Sequence, residues 1–300
     1  MSETIPLLQE PPHFGDGDFP AALVLVTNAC NLRCKTCFVY REDTPNESRD
    51  KMSEANMLYQ LRKLRDKHHI KSMLFMGGEP MIKSRLVFAA MDLFEQSSIV
   101  TNGTYGIPSV PGHLVTVSLD GPKELNDQIR GEGVFDKVKQ SIFEHNLCDE
   151  TTVMLQMTVT KKNADCIEAF VDEVEQWPIH GIAFTFYVPD RDEISEYAWE
   201  NLEERDHVIK HVIDLKTAHP MIRSNVGALR LMMSDKSMSA TGSSGENCRL
   251  KNMLPLYVGD GGVFERTFCC YGNNADCTRC GAYAVFNSAY HRSPGIEYGS

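Results

Sequence analysis

The sequence predicts an α/β fold built on a parallel sheet. Three observations predict it. Strand-like and helix-like segments alternate six times over residues 1–217, motif-bearing polar stretches sit directly after the strands, and a cysteine-dense region follows at 218–300. Alternation of this kind implies right-handed crossovers and a parallel sheet, either open and doubly wound or closed into a partial barrel. In both arrangements chemistry gathers at the C-terminal ends of the strands.

The elements follow in order. AALVLVT (21–27) is an apolar run, read as the first strand, and it leads into TNACNLRCKTCFVY (27–40). SEANMLYQLRKLRDKHH places Met57, Leu58, Leu61 and Leu64 at helical spacing behind Ser53, a fitting N-cap. IKSMLFM (70–76) is a second strand cut off by Gly77 and Gly78, and an apolar helix follows Ser84. SIVTNG (98–103) and HLVTVSLDG (113–121) are the third and fourth strands, and GVFDKVKQSIFEH is a helix with Phe135, Val138 and Ile142 on one side. TTVMLQMTV (151–159) alternates as a fifth strand, NADCIEAFVDEVEQW is helical, and GIAFTFYV (181–188) is a sixth strand before a long helical stretch over 194–217. The Ser/Gly-rich SDKSMSATGSSGEN (234–247) opens a loop-rich region expected to be held by metal rather than by a core of its own.

Composition narrows the function. The chain has 300 residues, a formal charge of −11 and 42% hydrophobic residues, enough for a sizeable core. The acidic balance argues against nucleic acid or an anionic membrane as partner, because both want clustered Lys and Arg. No apolar run reaches the ~20 residues of a membrane span. MSETIPLLQEPPHF lacks the basic start and apolar core of a secretory signal. Ten cysteines without such a signal suit metal ligands or reactive thiols in a reducing cytoplasm better than disulfides.

Cys30, Cys34 and Cys37 form C-x3-C-x2-C immediately after the first strand. A tetrahedral zinc site wants a fourth nearby ligand. A [4Fe–4S] cluster held by three cysteines keeps one iron open instead. This loop, followed by MGGEP after the second strand and VSLDG at the fourth, resembles the radical S-adenosylmethionine (SAM) superfamily. That resemblance implies a partial (β/α)6 radical SAM barrel in which SAM binds the open iron, and cluster reduction cleaves it to a 5′-deoxyadenosyl radical. It further implies that Gly77, Gly78 and Glu79 hold the SAM amino group, that Ser118 and Asp120 contact the ribose, and that Arg130 pairs with the carboxylate. Asn102 in TNG lies at the same mouth. In relatives the residue before the last cysteine of the motif is usually aromatic; here it is Thr36, and Phe38 or Tyr40, which follow, is the expected adenine neighbour, Phe38 being the cofactor-binding candidate.

The second constellation is Cys248, Cys269, Cys270, Cys277 and Cys280. It resembles the auxiliary-cluster extensions of the same superfamily, called twitch and SPASM, and implies a second [4Fe–4S] cluster. Five thiols exceed the four such a cluster needs. Either Cys248 is a ligand with Cys269 or Cys270 spare, or Cys269, Cys270, Cys277 and Cys280 are the ligands and Cys248 is free. A structural zinc on Cys269, Cys277, Cys280 and one other is the competing reading. A free thiol near substrate can return a hydrogen atom to a carbon radical, and Cys248 is the expected donor. Cys148 and Cys166 read as structural, Cys166 sharing a stripe with Phe170 and Val174.

PDRDEISEYAWENLEERD (189–206) carries eight acidic residues against two Arg. Asp190, Asp192 and Glu193, coming directly off the sixth strand, are expected to contact a polyamine. In length and layout the chain is similar to an aminoglycoside epimerase of the superfamily that converts neomycin C to neomycin B. That likeness implies an isomerase of antibiotic biosynthesis with a cationic aminoglycoside as substrate and an external one-electron reductant. The alternatives are a peptide- or lipid-modifying radical SAM enzyme and a non-enzymatic iron–sulfur electron carrier. GGEP and Arg130 speak against the carrier, which has no need of SAM ligands.

Overall fold

Eight strands share one sheet in the computed structural model, which describes residues 8–40, 51–145 and 150–291. Six are those expected: β1 (Ala21–Leu25), β2 (Ser72–Met76), β3 (Gln96–Thr101), β4 (Leu114–Ser118), β5 (Thr152–Val159) and β6 (Gly181–Phe186). The other two are β7 (Met253–Val258) and β8 (Phe264–Arg266), and the spatial order is β6-β5-β4-β3-β2-β1-β7-β8. Every neighbouring pair from β6 to β7 is parallel, and only β8 returns antiparallel. Successive strands add in sequence order because each crossover helix lays its apolar stripe on the sheet and returns the chain one strand over. The helices are α1 (Glu54–His68), α2 (Ser84–Met91), α3 (Lys123–Arg130), α4 (Val134–Glu144), α5 (Ile167–Val174), α6 (Leu202–Ala218), α7 (Val226–Leu231), α8 (Ser237–Thr241) and α9 (Tyr283–His291). The result is a partial α/β barrel. Among the described residues no helix is long and apolar enough to cross a membrane.

Local chemistry explains the boundaries. The Ser53 hydroxyl accepts the Asn56 N–H and starts α1, while His69 ends it in a left-handed conformation. Met57, Leu61 and Leu64 are wholly buried in one core with Val24, Phe75 and Ile99, each such side chain contributing roughly 1.5–3 kcal/mol on burial. β5 alternates: Val153, Leu155, Met157 and Val159 are buried, while Gln156 and Thr158 are half-buried and face a cavity inside the barrel.

Three expectations change. α6 begins at Leu202 rather than 194, because residues 190–198 form a loop organised by Glu193 and Ser195. α3, which carries Arg130 at its end, is an additional helix. The cysteine-rich region is not a separate appendage of the sheet, since β7 pairs with β1 in register from Ala21↔Met253 to Val24↔Leu256. From β8 its chain crosses to the far edge, where Gly281 accepts the Phe186 N–H at 2.8 Å and Asn274 accepts the Arg191 N–H at 2.9 Å. The cysteine segment therefore spans the open side of the barrel. Cys148 lies outside the described residues.

Candidate active site

The cysteine loop leaves β1 and is held by the loop after β2. Gly78 N–H donates to Thr27 O at 2.7 Å and Glu79 N–H to Ala29 O at 2.9 Å. A Cβ on Gly77 would sit 2.4 Å from Thr27 O, and one on Gly78 2.4 Å from Ala29 O. The glycines are thus required for the approach of one loop's backbone to the other. Cys30, Cys34 and Cys37, with Gly77 and Gly78, line an interior cavity of about 280 Å³.

Glu79 does not line that cavity. Its carboxylate is fully buried and accepts the Met81 N–H (2.9 Å), the Thr101 hydroxyl (2.7 Å) and the Asn102 N–H (2.7 Å). Burial pushes its pKa up against these three donors. In this structure Glu79 clasps β2 to β3, while Gly77 and Gly78 form the cavity wall. Asn102 does face the cavity, and its amide reaches Asn31 Oδ1 at 2.9 Å and Cys30 Sγ at 3.8 Å. Burial raises the Cys30 thiol, and burial raises Cys34 to about 11 despite Arg130 nearby. Deprotonation of such thiols is then driven by metal uptake.

Ser118, Arg130 and Phe38 also line the cavity, but Asp120 does not. Asp120 is 1% exposed; one oxygen accepts the Thr158 N–H at 2.9 Å and the other lies 2.8 Å from Arg130 Nε. Asp120 thus holds Arg130 in place. Burial opposes the Arg130 charge, but Asp120 together with the nearby Cys34 and Cys37 offsets it and the pKa rises. Phe38 packs against Tyr271 with ring centroids 5.1 Å apart and the planes tilted by 55°. The pair separates the inner cavity from an outer one of about 320 Å³, whose walls include Asp190, Tyr257, Asp260 and Glu265.

The five C-terminal thiols divide by the cavities they face. Cys248, Cys269, Cys270 and Cys277 border a small cavity of about 30 Å³ beside Gly245. Cys280 is buried behind them and raised to about 12 by burial, within electrostatic reach of Cys269 and Cys248. Of the five, Cys270 alone also lines both larger cavities. Cys248, the expected donor, borders only the small cavity, whereas its neighbour Leu250 lines both that one and the inner cavity. Cys166 caps the turn before α5 with its Sγ 3.0 Å from Asn163 O, and is structural.

The three acidic candidates separate as well. Glu193 is used internally, by Tyr187 (3.1 Å), the Asp190 N–H (3.0 Å) and Ser195 (2.7 Å). Asp192 is exposed at φ 62° and lines neither cavity. Asp190 alone stands on a cavity wall. Arg279 ties this loop to the C-x2-C turn, donating to Glu193 O at 2.8 Å and Asp190 O at 3.0 Å.

The model of the Radical SAM superfamily matches residues 24–174. The chain belongs to the radical SAM superfamily. Its relatives include Fe-coproporphyrin III synthase of Methanosarcina barkeri, 31% identical over 179 residues, covering 55% of this chain and 43% of that protein. Sporulation killing factor maturation protein SkfB of Bacillus subtilis is 28% identical over 182 residues, covering 56% and 43%. The chain thus spans less than half the length of these relatives. In fold it is similar to anSMEcpe solved with AdoMet and the Kp18Cys peptide, with TM-score 0.61 and 20% identity over 89% of this chain and 80% of that one.

Family membership makes the chain a radical SAM enzyme, with SAM and a [4Fe–4S] cluster as its cofactors. The residues fit that pair. Three thiols on one loop offer a cluster ligand set, and the backbone of Gly77 and Gly78 together with Arg130 on the same cavity wall offers a site for an amino acid head group. Sequence reading missed Gln156, Thr158, Thr185, Tyr271 and Tyr283, all on the inner cavity wall. A signal for the first two was present: polar residues at the alternating positions of β5 that do not enter the core.

Proposed function

We propose that this radical SAM enzyme modifies a peptide at a C–H bond held between the Cys30–Cys37 loop and Cys270. When bound, SAM and its reduced cluster supply the 5′-deoxyadenosyl radical that takes the hydrogen atom. Cys30, Cys34 and Cys37 hold that cluster; Gly77, Gly78, Asn102, Ser118 and Arg130 surround SAM, with Arg130 matched to its carboxylate. Cys248, Cys269, Cys277 and Cys280 hold a second [4Fe–4S] cluster. Cys270 returns hydrogen: its S–H bond breaks, a substrate C–H bond forms, and the thiyl regains an electron and a proton from an external one-electron reductant and solvent.

The observation that carries this reading is the place of Cys270, on the wall shared by the inner and outer cavities. A peptide is supported by the likeness to a maturation protein and by a similar fold that holds a peptide. A second reading, epimerisation of a polycationic aminoglycoside such as neomycin C, is favoured by the outer cavity. Its walls include Asp190, Asp260 and Glu265 and, among the described residues, no Lys, Arg or His.

The test is turnover of the iron-reconstituted chain in D2O with SAM, dithionite, a pooled library of synthetic peptides and, separately, neomycin C. The peptide reading expects 5′-deoxyadenosine together with mass change or deuterium in peptides. Deuterium at a sugar carbon of neomycin C, with unchanged peptides, would replace it with the second reading.

A further inference from the structure

The largest fully buried side chain is a cation. Arg205, on α6, is 0% exposed. Its Nη1 donates to Cys280 O at 2.9 Å and Arg279 O at 3.2 Å, and its Nη2 to Met232 O at 2.8 Å. Its Nε has no hydrogen-bond partner. A buried guanidinium ordinarily has a carboxylate fork against it, because an isolated buried charge is costly. Here the adjacent acid, Asp206, turns to Ser234, accepting its N–H at 2.9 Å and its hydroxyl at 2.5 Å. Two of the three carbonyls that Arg205 grips belong to the C-x2-C turn. The charge therefore sits against the backbone of the Cys277–Cys280 turn.

We infer that Arg205 is a positioning residue for the second cluster, fixing the Cys277–Cys280 turn and serving as the buried positive counter-charge of the thiolate-bound iron–sulfur core. This rests on the second-cluster reading above. A [4Fe–4S] core on four thiolates carries net negative charge that grows by one on reduction, and local charge is a main determinant of its potential. A fixed cation against that turn favours the reduced form. It also accounts for a buried arginine without an ion-pair partner among the described residues: the partner is the cluster.

The test uses the full chain carrying Cys30→Ala, Cys34→Ala and Cys37→Ala, so that only the second site takes up iron. About four iron atoms per chain establish the site; no iron overturns both the second-cluster reading and this inference. Redox titration of that chain, followed by electron paramagnetic resonance, then compares Arg205→Gln with Arg205→Lys. Gln keeps a hydrogen-bond donor and loses the charge; Lys keeps the charge. The expected result is a reduction equilibrium about tenfold less favourable for Gln, which is about 59 mV for a one-electron couple, with Lys holding the parent potential. A Gln potential equal to the parent's, with full iron, overturns the counter-charge role. If Gln takes up no iron, Arg205→Met is the second neutral variant and is judged by the same criterion. Iron uptake by Lys but by neither neutral variant supports a need for charge, and failure of all three shows a purely structural role.

Discussion

Replacing Gly78 with Ala should dismantle the first cluster site while leaving the second intact. The added Cβ would lie 2.4 Å from Ala29 O, 2.7 Å from Ala29 C and 2.8 Å from Asn28 O, against a floor of 3.0 Å for real Cβ contacts. All three atoms are backbone, so no side chain can swing aside. The two loops must part by at least about 0.6 Å, and the bonds that join them, Gly78 N–H to Thr27 O and Glu79 N–H to Ala29 O, lengthen together. Losing both costs about 1–3 kcal/mol, each such bond contributing about 0.5–1.5 kcal/mol net. The displaced segment begins one residue before Cys30. Iron should fall from about eight to about four atoms per chain after reconstitution, with reductive SAM cleavage lost. A Gly78→Ala chain with full iron and undiminished 5′-deoxyadenosine formation would refute the close-approach argument, since the clash would then be relieved without moving the cysteine loop.

Other outcomes follow from the same geometry. Asp120→Asn leaves the Arg130 charge buried beside a neutral amide and should cost about 3–5 kcal/mol in unfolding. SAM affinity should fall more than tenfold while iron content holds, and unchanged SAM binding by calorimetry would show that Arg130 needs no aiming. Cys270→Ala should keep about eight iron atoms and still cleave SAM but return no solvent hydrogen to substrate, whereas Cys248→Ala should drop to about four; the reverse pattern would exchange their roles. Burial, with Glu265 accepting at 2.6 Å, raises the Tyr257 phenol to about 12. The raised value means that the stability it contributes is complete below pH 10 and is lost as pH climbs through 12. Ultraviolet titration of the iron-free chain should find this phenol late, and Glu265→Gln should bring it back toward 10.

Much of the site was legible because its signals are local. Cys30, Cys34 and Cys37 share one loop, Gly77 and Gly78 directly follow a strand, and Arg130 stands a fixed distance after Ser118 along a strand and helix. Roles were less legible than places. Glu79 and Asp120 carry the charges that suggest ligand contact, yet both are consumed by partners inside the protein: Thr101 and Asn102 for the one, Arg130 and Thr158 for the other. Glu193 meets the same fate within its own loop. A carboxylate's role depends on whether nearby N–H groups have already claimed it, and residue type does not report that.

The sequence by itself determined the alternation of strands and helices, the start of α1 at Ser53 and the placing of the Cys30–Cys37 loop and the Gly77–Gly78 turn at the strand ends. Each depends on periodicity or spacing within a few residues, where backbone geometry is fixed by the chain itself. Only the tertiary structure decided which thiol faces the barrel. That choice follows from β7 joining β1, from Gly281 docking on Phe186, and from Arg205 gripping the carbonyl of Cys280 from 75 residues away. Cys269 and Cys270 are neighbours in sequence and nearly equivalent in chemistry. Cys269 bridges to Gly272 and Cys270 opens the turn between them, so both border the small thiol cavity while Cys270 also reaches the walls of the two larger ones.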